Sequence, residues 1–442
     1  MIAEIAFGSL IGGLYLKASM KQKGGGGVSD HEKIICIAEA CDLTKQGQSL
    51  RLHRKTEEER FTEYVYQIPQ GLSFKKFEKH IHEFQDGLNI KKREYEFNRK
   101  GLKELWGYLK EGRFNQATFR RDIHNILFTK NDIKKSIKMS YDGMLHFKVF
   151  EKGIETMIRF EEFFFDGCYD WRVPLGDNGE EMLNWRIGRE HMAIAGGTRQ
   201  GKTQFLKLLI TSLLQLYPEQ IKFSLIDLKG GVSFQRYENL IQTVNFAEDI
   251  YTATNTLDAV YEEMLGKQKV IKDKGFETAD EAGMFEKHFV IIDEAAELSP
   301  IIKKDERERR NKCQQRLSEI ARLGAGLNYI LIFCTQYPTI DVMSKDIKSN
   351  LNQVVCFKLR SGNQSQVVLD EWGAEKLECP GRALVMDGVA RHKVQVPLVG
   401  EDLIKRTIQP HINIKPRKDE KHAKDDSKET TNREHTLVIE EV

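Results

Sequence analysis

Residues with the types and spacing for phosphate chemistry stand in three stretches of this chain. Gly196, four intervening residues and Gly201-Lys202-Thr203 fit the pattern G-x-x-x-x-G-K-[ST]. Glycines let a backbone wrap a phosphate, successive N–H groups turn inward, and the following helix offers the positive end of its dipole. Gly196, Gly197, Thr198, Arg199, Gln200, Gly201, Lys202, Thr203 and Gln204 are therefore expected to cradle a nucleoside triphosphate, Lys202 reaching the β/γ-phosphates and Thr203 a Mg2+ ion. Asp293-Glu294 ends the apolar run His288 to Ile292. There Asp293 would hold the hydration shell of Mg2+ and Glu294 would polarise the attacking water; a helix N-cap is the bland alternative. Thr335-Gln336 closes Tyr329 to Cys334, where a neutral amide can orient γ-phosphate and water, unless it is only a polar strand end before Pro338.

These groups need a scaffold that sets them at one edge. Met192 to Ala195, Phe223 to Ile226, Phe289 to Ile292, Tyr329 to Cys334 and Val354 to Leu359 are short apolar runs separated by helix-length segments. The pattern predicts an α/β domain with a mostly parallel sheet buried by helices on both faces, ligands binding at the carboxyl ends of its strands. Asp227 and Lys229 follow one such run at that edge, although a turn built for Gly230-Gly231 explains them almost as well.

The rest of the chain supplies no catalytic constellation. A length of 442 residues accommodates two or three domains. The net charge of +2 does not mark a polyanion binder, but Lys91-Lys92-Arg93, Arg120-Arg121, Lys134-Lys135 and the run from Arg307 to Lys312 are clusters that could hold one, or solvated helix faces. Seven cysteines lie scattered with no C-x-x-C pair, which argues for reduced thiols in a cytoplasmic compartment and against a disulfide framework or a zinc site. Residues 1–28 read as a short apolar helix, Ile2 to Leu16, and a glycine-rich linker. That helix falls short of the roughly 20 residues of a spanning segment. Its flank of Lys17, Lys21 and Lys23 favours a membrane anchor on the cytoplasmic side over a helix docked on protein.

Residues 29–162 read as a small α+β module: a helix from Ser29 to Asp42, a strand from Arg60 to Ile68, and an amphipathic helix from Phe74 to Leu88. Leu102, Leu105, Trp106 and Leu109 mark further buried faces, and strands run between Ile133 and Phe150. The nucleotide domain is expected over 163–410 and a charged tail over 411–442, rich in Lys, Asp, Glu and Ser and expected to be disordered.

The ordered set Trp171 to Gly176, Ile226 to Gly231, Asp293 to Leu298, Ala321 to Gly326, Thr335 to Thr339 and Gly373 to Leu377 resembles FtsK/SpoIIIE-type motor domains. The resemblance implies a RecA-like P-loop ATPase that uses ATP and Mg2+, assembles as a homohexamer and pumps DNA through its channel. It also implies a basic residue supplied in trans, for which Arg322 and Arg360 are the candidates, or else surface salt-bridge partners. Lys345 and Lys348 would suit phosphate contacts if their segment faces the channel; a solvated loop is the default. After Val399 only a short segment and the tail follow, where many chromosome translocases carry a winged helix. That departure, with Tyr64 to Ser73 and the short apolar start, makes the sequence similar to FtsK-like coupling proteins of Gram-positive conjugative elements. Such a protein would meet a relaxase and membrane mating-channel components. The rival expectations are a plasmid or chromosome partitioning translocase and, less favoured with one phosphate loop, a protein-secretion ATPase.

Overall fold

The computed structural model describes residues 29–45, 47–89, 92–97, 128–133, 135–151, 153–231, 233–388 and 390–413. The apolar start at 2–16, the faces at Leu102 to Leu109 and the charged tail from residue 414 lie outside the described residues. No helix among the described residues is long and apolar enough to cross a membrane.

Helix α1 (Asp30–Ala40) opens the first module as its cap predicts. Ser29 accepts from the Glu32 N–H while Glu32 reaches back to the Ser29 N–H, satisfying two donors that a helix start leaves free. Strands β1 (Arg51–Glu57) and β2 (Phe61–Gln67) follow. The single helix expected over Phe74 to Leu88 is two, α2 (Phe74–Lys79) and α3 (Ile81–Leu88). His80 separates them: its N–H bonds the Phe77 carbonyl in a tight turn, and its own carbonyl accepts from Phe84 N–H to start the second helix. Phe77 and Phe84 both end fully buried. Strands β3 (Lys92–Phe97) and β4 (Phe128–Ile133) form a two-stranded ribbon. With β5 (Ser136–Tyr141) and β6 (Leu145–Phe150) the larger sheet has the order β1-β2-β6-β5, antiparallel throughout. Tyr66 and Phe147 pack edge to face against each other within its core, beside Ile34 and Ala38 of α1.

The second unit alternates strand and helix. A hairpin, β7 (Arg172–Asp177) and β8 (Met182–Arg186), leads to β9 (Met192–Ala195), the loop and α4 (Lys202–Leu216). Then come β10 (Ile221–Ile226), β11 (Thr243–Ala247), α5 (Ile250–Asp273), β12 (Lys287–Ile292), α6 (Arg307–Leu323) and β13 (Tyr329–Thr335). The chain continues through α7 (Lys345–Lys348), β14 (Gln353–Phe357), α8 (Gly362–Leu369), β15 (Arg382–Asp387), β16 (Ala390–Gln395) and α9 (Glu401–Ile408).

Ten strands make one sheet in the order β11-β10-β12-β13-β9-β14-β15-β16-β7-β8. The six from β11 to β14 are parallel, and the remaining four extend the sheet antiparallel. Alternate residues of the parallel strands serve two cores. Ala193, Val290, Leu331 and Phe333 pack toward α5 and α6, whereas Ile194, Phe289, Ile291 and Ile332 pack toward α4 and α9. Being covered on both faces, these strands read as continuous apolar runs. Burial of Leu206, Leu209 and Leu213 of α4 alone contributes roughly 1.5–3 kcal/mol per side chain.

Candidate functional site

Strand order decides how the three groups meet. β13 is inserted between β9, which carries the phosphate loop, and β12, which carries Asp293-Glu294. Three parallel strands therefore end side by side, and the tip of the middle one, Thr335-Gln336, lies between loop and acids.

The loop is held from both neighbours. Gly196 N–H donates to the Thr335 carbonyl at 3.2 Å and Gly197 N–H to the Lys358 carbonyl at 2.9 Å. Gly201, with φ +122°, begins α4, and a Cβ there would stand 3.1 Å from the backbone of Gly381, so glycine is required on two counts. Gly381 N–H in turn donates to the Gln200 carbonyl at 2.8 Å, leaning the start of β15 on the loop. Thr198 hydroxyl donates to Gln336 Oε1 at 3.0 Å.

Lys202 is 3% exposed and folds back onto the acids. Its ammonium bonds the Asp293 carbonyl and lies 3.5 Å from Asp293 Oδ1 and 3.9 Å from Glu294 Oε2. Glu294, 2% exposed, accepts from Thr335 Oγ1 at 2.9 Å, Gln336 N–H at 3.0 Å and Lys229 Nζ at 3.1 Å. The helix N-cap alternative does not hold for it: Glu294 precedes only a single 3-10 turn and its side chain makes no cap bond. Asp293 also takes a bond from Ser233 Oγ at 3.4 Å. Asp227 is wholly buried and accepts from Lys229 N–H and Ser233 N–H, so it builds the turn, while Lys229 reaches the site.

For Mg2+ the chain offers the Thr203 hydroxyl, exposed in the first turn of α4, and the Asp293 carboxylate. These hard oxygen donors fit the ion's preference, and a cation, the Lys202 ammonium, already lies against that carboxylate.

The candidate arginines separate. Arg360 is exposed at the carboxyl edge, two residues past Lys358. Arg322, also exposed, ends α6, which delivers the chain to the opposite edge at the start of β13. Lys345 is exposed and Lys348 pairs with Asp370 at 2.6 Å. Basic runs are largely neutralised where described: Lys135 pairs with Asp30 and Glu151, Arg309 with Glu306, Arg310 with Asp305 and Lys312 with Asp258. Lys91, Arg120, Arg121 and Lys134 lie outside the described residues.

A cleft of about 600 Å³ opens beside the loop. Its far wall is made by Thr156, Met157, Pro380, Val396 and Leu398, none of which motif spacing could flag. Pro380, Val396 and Leu398 arrive through the antiparallel half of the sheet, Thr156 and Met157 through the segment between β6 and β7, and only Cys379-Pro380-Gly381, an evident turn, carried any sequence signal.

A phosphate loop, a strand-end acid pair and an inserted polar strand tip on a doubly wound sheet define a P-loop ATPase. Residues 173–288 match the FtsK/SpoIIIE family. DNA translocase FtsK of Streptococcus agalactiae serotype V is 30% identical over 257 residues, taking in 53% of this chain and 30% of that protein. DNA translocase FtsK of Tropheryma whipplei is 29% identical over 239 residues, 50% of this chain and 31% of that protein. This chain thus spans under a third of the length of the curated relatives it matches. The pCW3 conjugation coupling protein TcpA, solved as a monomer with ATPγS, shares the fold with a TM-score of 0.55 at 18% identity, over 86% of this chain and 99% of that one. Residues 173–288 are thus similar to the FtsK/SpoIIIE family, and they lie within an ATPase domain of RecA-like architecture.

Proposed function

We propose that the protein is an ATP-driven DNA translocase acting as a coupling protein in conjugative DNA transfer. The observation that carries the ATPase is the convergence of loop, acid pair and Gln336 at three adjacent strand ends. On nucleotide arrival the Lys202 ammonium exchanges its carboxylate partners for the β/γ-phosphates. Glu294 takes a proton from the attacking water, and Gln336 orients that water against the γ-phosphate. Thr203 and Asp293 would hold Mg2+, which would supply neutralisation of charge on the phosphate oxygens.

DNA as cargo is supported by the translocase relatives. The coupling role is supported by the likeness to TcpA, whose 86% coverage reaches beyond the motor into the N-terminal module. In this reading the working form is a homohexamer, with Arg360 or Arg322 completing a neighbour's site. Residues 2–16 attach it to the cytoplasmic face of the membrane, where it meets a relaxase and mating-channel components.

The test is ATP turnover with and without duplex DNA across protein concentrations, which rises with both if DNA-gated rings form. Glu294→Gln is expected to retain ATP binding and lose turnover about 100-fold or more; Lys202→Ala loses binding. Full turnover by the Glu294→Gln protein would sink the assigned role. The identity to FtsK translocases favours a second reading, plasmid or chromosome partitioning. A deletion that impairs segregation and leaves conjugation intact would select it.

A further inference from the structure

The cleft at the loop has two walls of opposite chemistry. One is the polar cradle of Gly197 to Thr203 with Gln336; the other is apolar and is drawn from parts of the chain remote from every motif. On that wall Met157 is 64% exposed and Leu398 40% exposed. A thioether and an isobutyl group left in water beside an anion cradle are a surface that an apolar ring would cover.

This wall is built and held before any ligand arrives. Arg382, 5% exposed, donates from one guanidinium nitrogen to the Ile154 and Glu155 carbonyls at 2.9 and 3.0 Å. Leu398 N–H donates to the Ile158 carbonyl at 2.7 Å, and Phe160 N–H to the Leu398 carbonyl at 2.9 Å. Residues 154–160 are thus strapped across the mouth of the cleft, and Phe160 anchors their far end in the core. Gln395, the polar side chain at the root of this wall, has both ends engaged: Oε1 accepts from Arg382 at 3.0 Å and Nε2 donates to the Pro380 carbonyl at 3.1 Å.

We propose that the strap, through Met157, together with Leu398 forms the nucleobase subsite, gripping the face of the base while the triphosphate lies on the loop. The assignment rests on the ATPase reading. Anchoring of the strap keeps the subsite preformed, so binding the base orders little new chain. Because the strap follows β6 in the chain, the base touches the covalent connection between module and motor.

The experiment compares ATP with inorganic tripolyphosphate, which has the phosphates and no base, on the full chain by calorimetry. Met157→Ser combined with Leu398→Ser is expected to weaken ATP about tenfold and leave tripolyphosphate within about twofold. Both side chains are exposed, so an unchanged melting temperature is expected to accompany the loss. ATP should also slow tryptic cleavage after Arg159, an exposed strap residue, whereas tripolyphosphate should not. Unchanged ATP affinity in the double variant, or equal weakening of both ligands, overturns the subsite while the ATPase reading stands. Wild-type protein that binds neither ligand overturns both.

Discussion

Glu294 is the most heavily engaged side chain of the site. A threonine hydroxyl, a backbone N–H and the Lys229 ammonium share its two oxygens, leaving little room for a water to donate to it. Of these partners only Lys229 is long and partly open to solvent, its side chain 38% exposed against 1% for the glutamate. Lys229→Ala should therefore free an acceptor position without touching the loop. We expect turnover without DNA to rise about threefold to tenfold, with ATP affinity unchanged, read by phosphate release and calorimetry. A fall in turnover would make Lys229 part of the chemistry instead of a restraint on it. The loop and acid pair were legible because their function demands fixed residue types at fixed spacing. The role of Lys229 was not, since its reach depends on a turn whose backbone Asp227 holds.

At the scale of elements, β9 shows how a buried strand start can carry pH sensitivity. His191, just ahead of it, is 1% exposed, and its Nδ1 accepts from the Leu331 N–H of β13 at 2.9 Å. Burial pushes the imidazole down to about 4 from its ordinary value. The folded state therefore resists protonation that the unfolded chain accepts. The stability is complete above about pH 6.5 and is lost as pH falls toward 4. Between pH 7 and 5 the loss is about 2 kcal/mol, the difference between proton uptake at the two values. His191→Asn keeps an acceptor for Leu331 and removes the titration, so its denaturant midpoint should fall less over that interval. Equal acid sensitivity in the two proteins would assign the effect elsewhere. Elements themselves were legible where they were apolar and parallel: β9, β10, β12, β13 and β14 stand within a few residues of the expected runs. The antiparallel strands β7, β8, β15 and β16 were not: along β16 polar residues such as Arg391 and Lys393 alternate as on a solvent-facing sheet, and Pro174 interrupts β7.

In the whole molecule those four strands give the N-terminal module a place to rest. Arg60, just ahead of β2, donates to Asp177 at 2.8 Å, and Glu180, in the turn of the β7–β8 hairpin, receives the ammonium groups of both Lys138 and Lys148. Glu180 has a side chain only 17% exposed, with Lys148 at 24%, so the pair is partly shielded from the screening that makes most surface ion pairs worth little. These three ion pairs join β2, β5 and β6 to the edge hairpin, and the hairpin pairs with β16 at Gln395, just beyond which Val396 and Leu398 supply the apolar wall of the cleft. An order of about 1 kcal/mol for the clasp corresponds to roughly a fivefold change in local opening. Arg60→Ala with Glu180→Gln should therefore speed amide exchange over residues 136–150 by about that factor. Exchange over 196–203 should stay as in the wild type, because the loop is held by β13, β14 and Gly381 and not by the module. Acceleration in both segments would show that module and motor open as one cooperative unit.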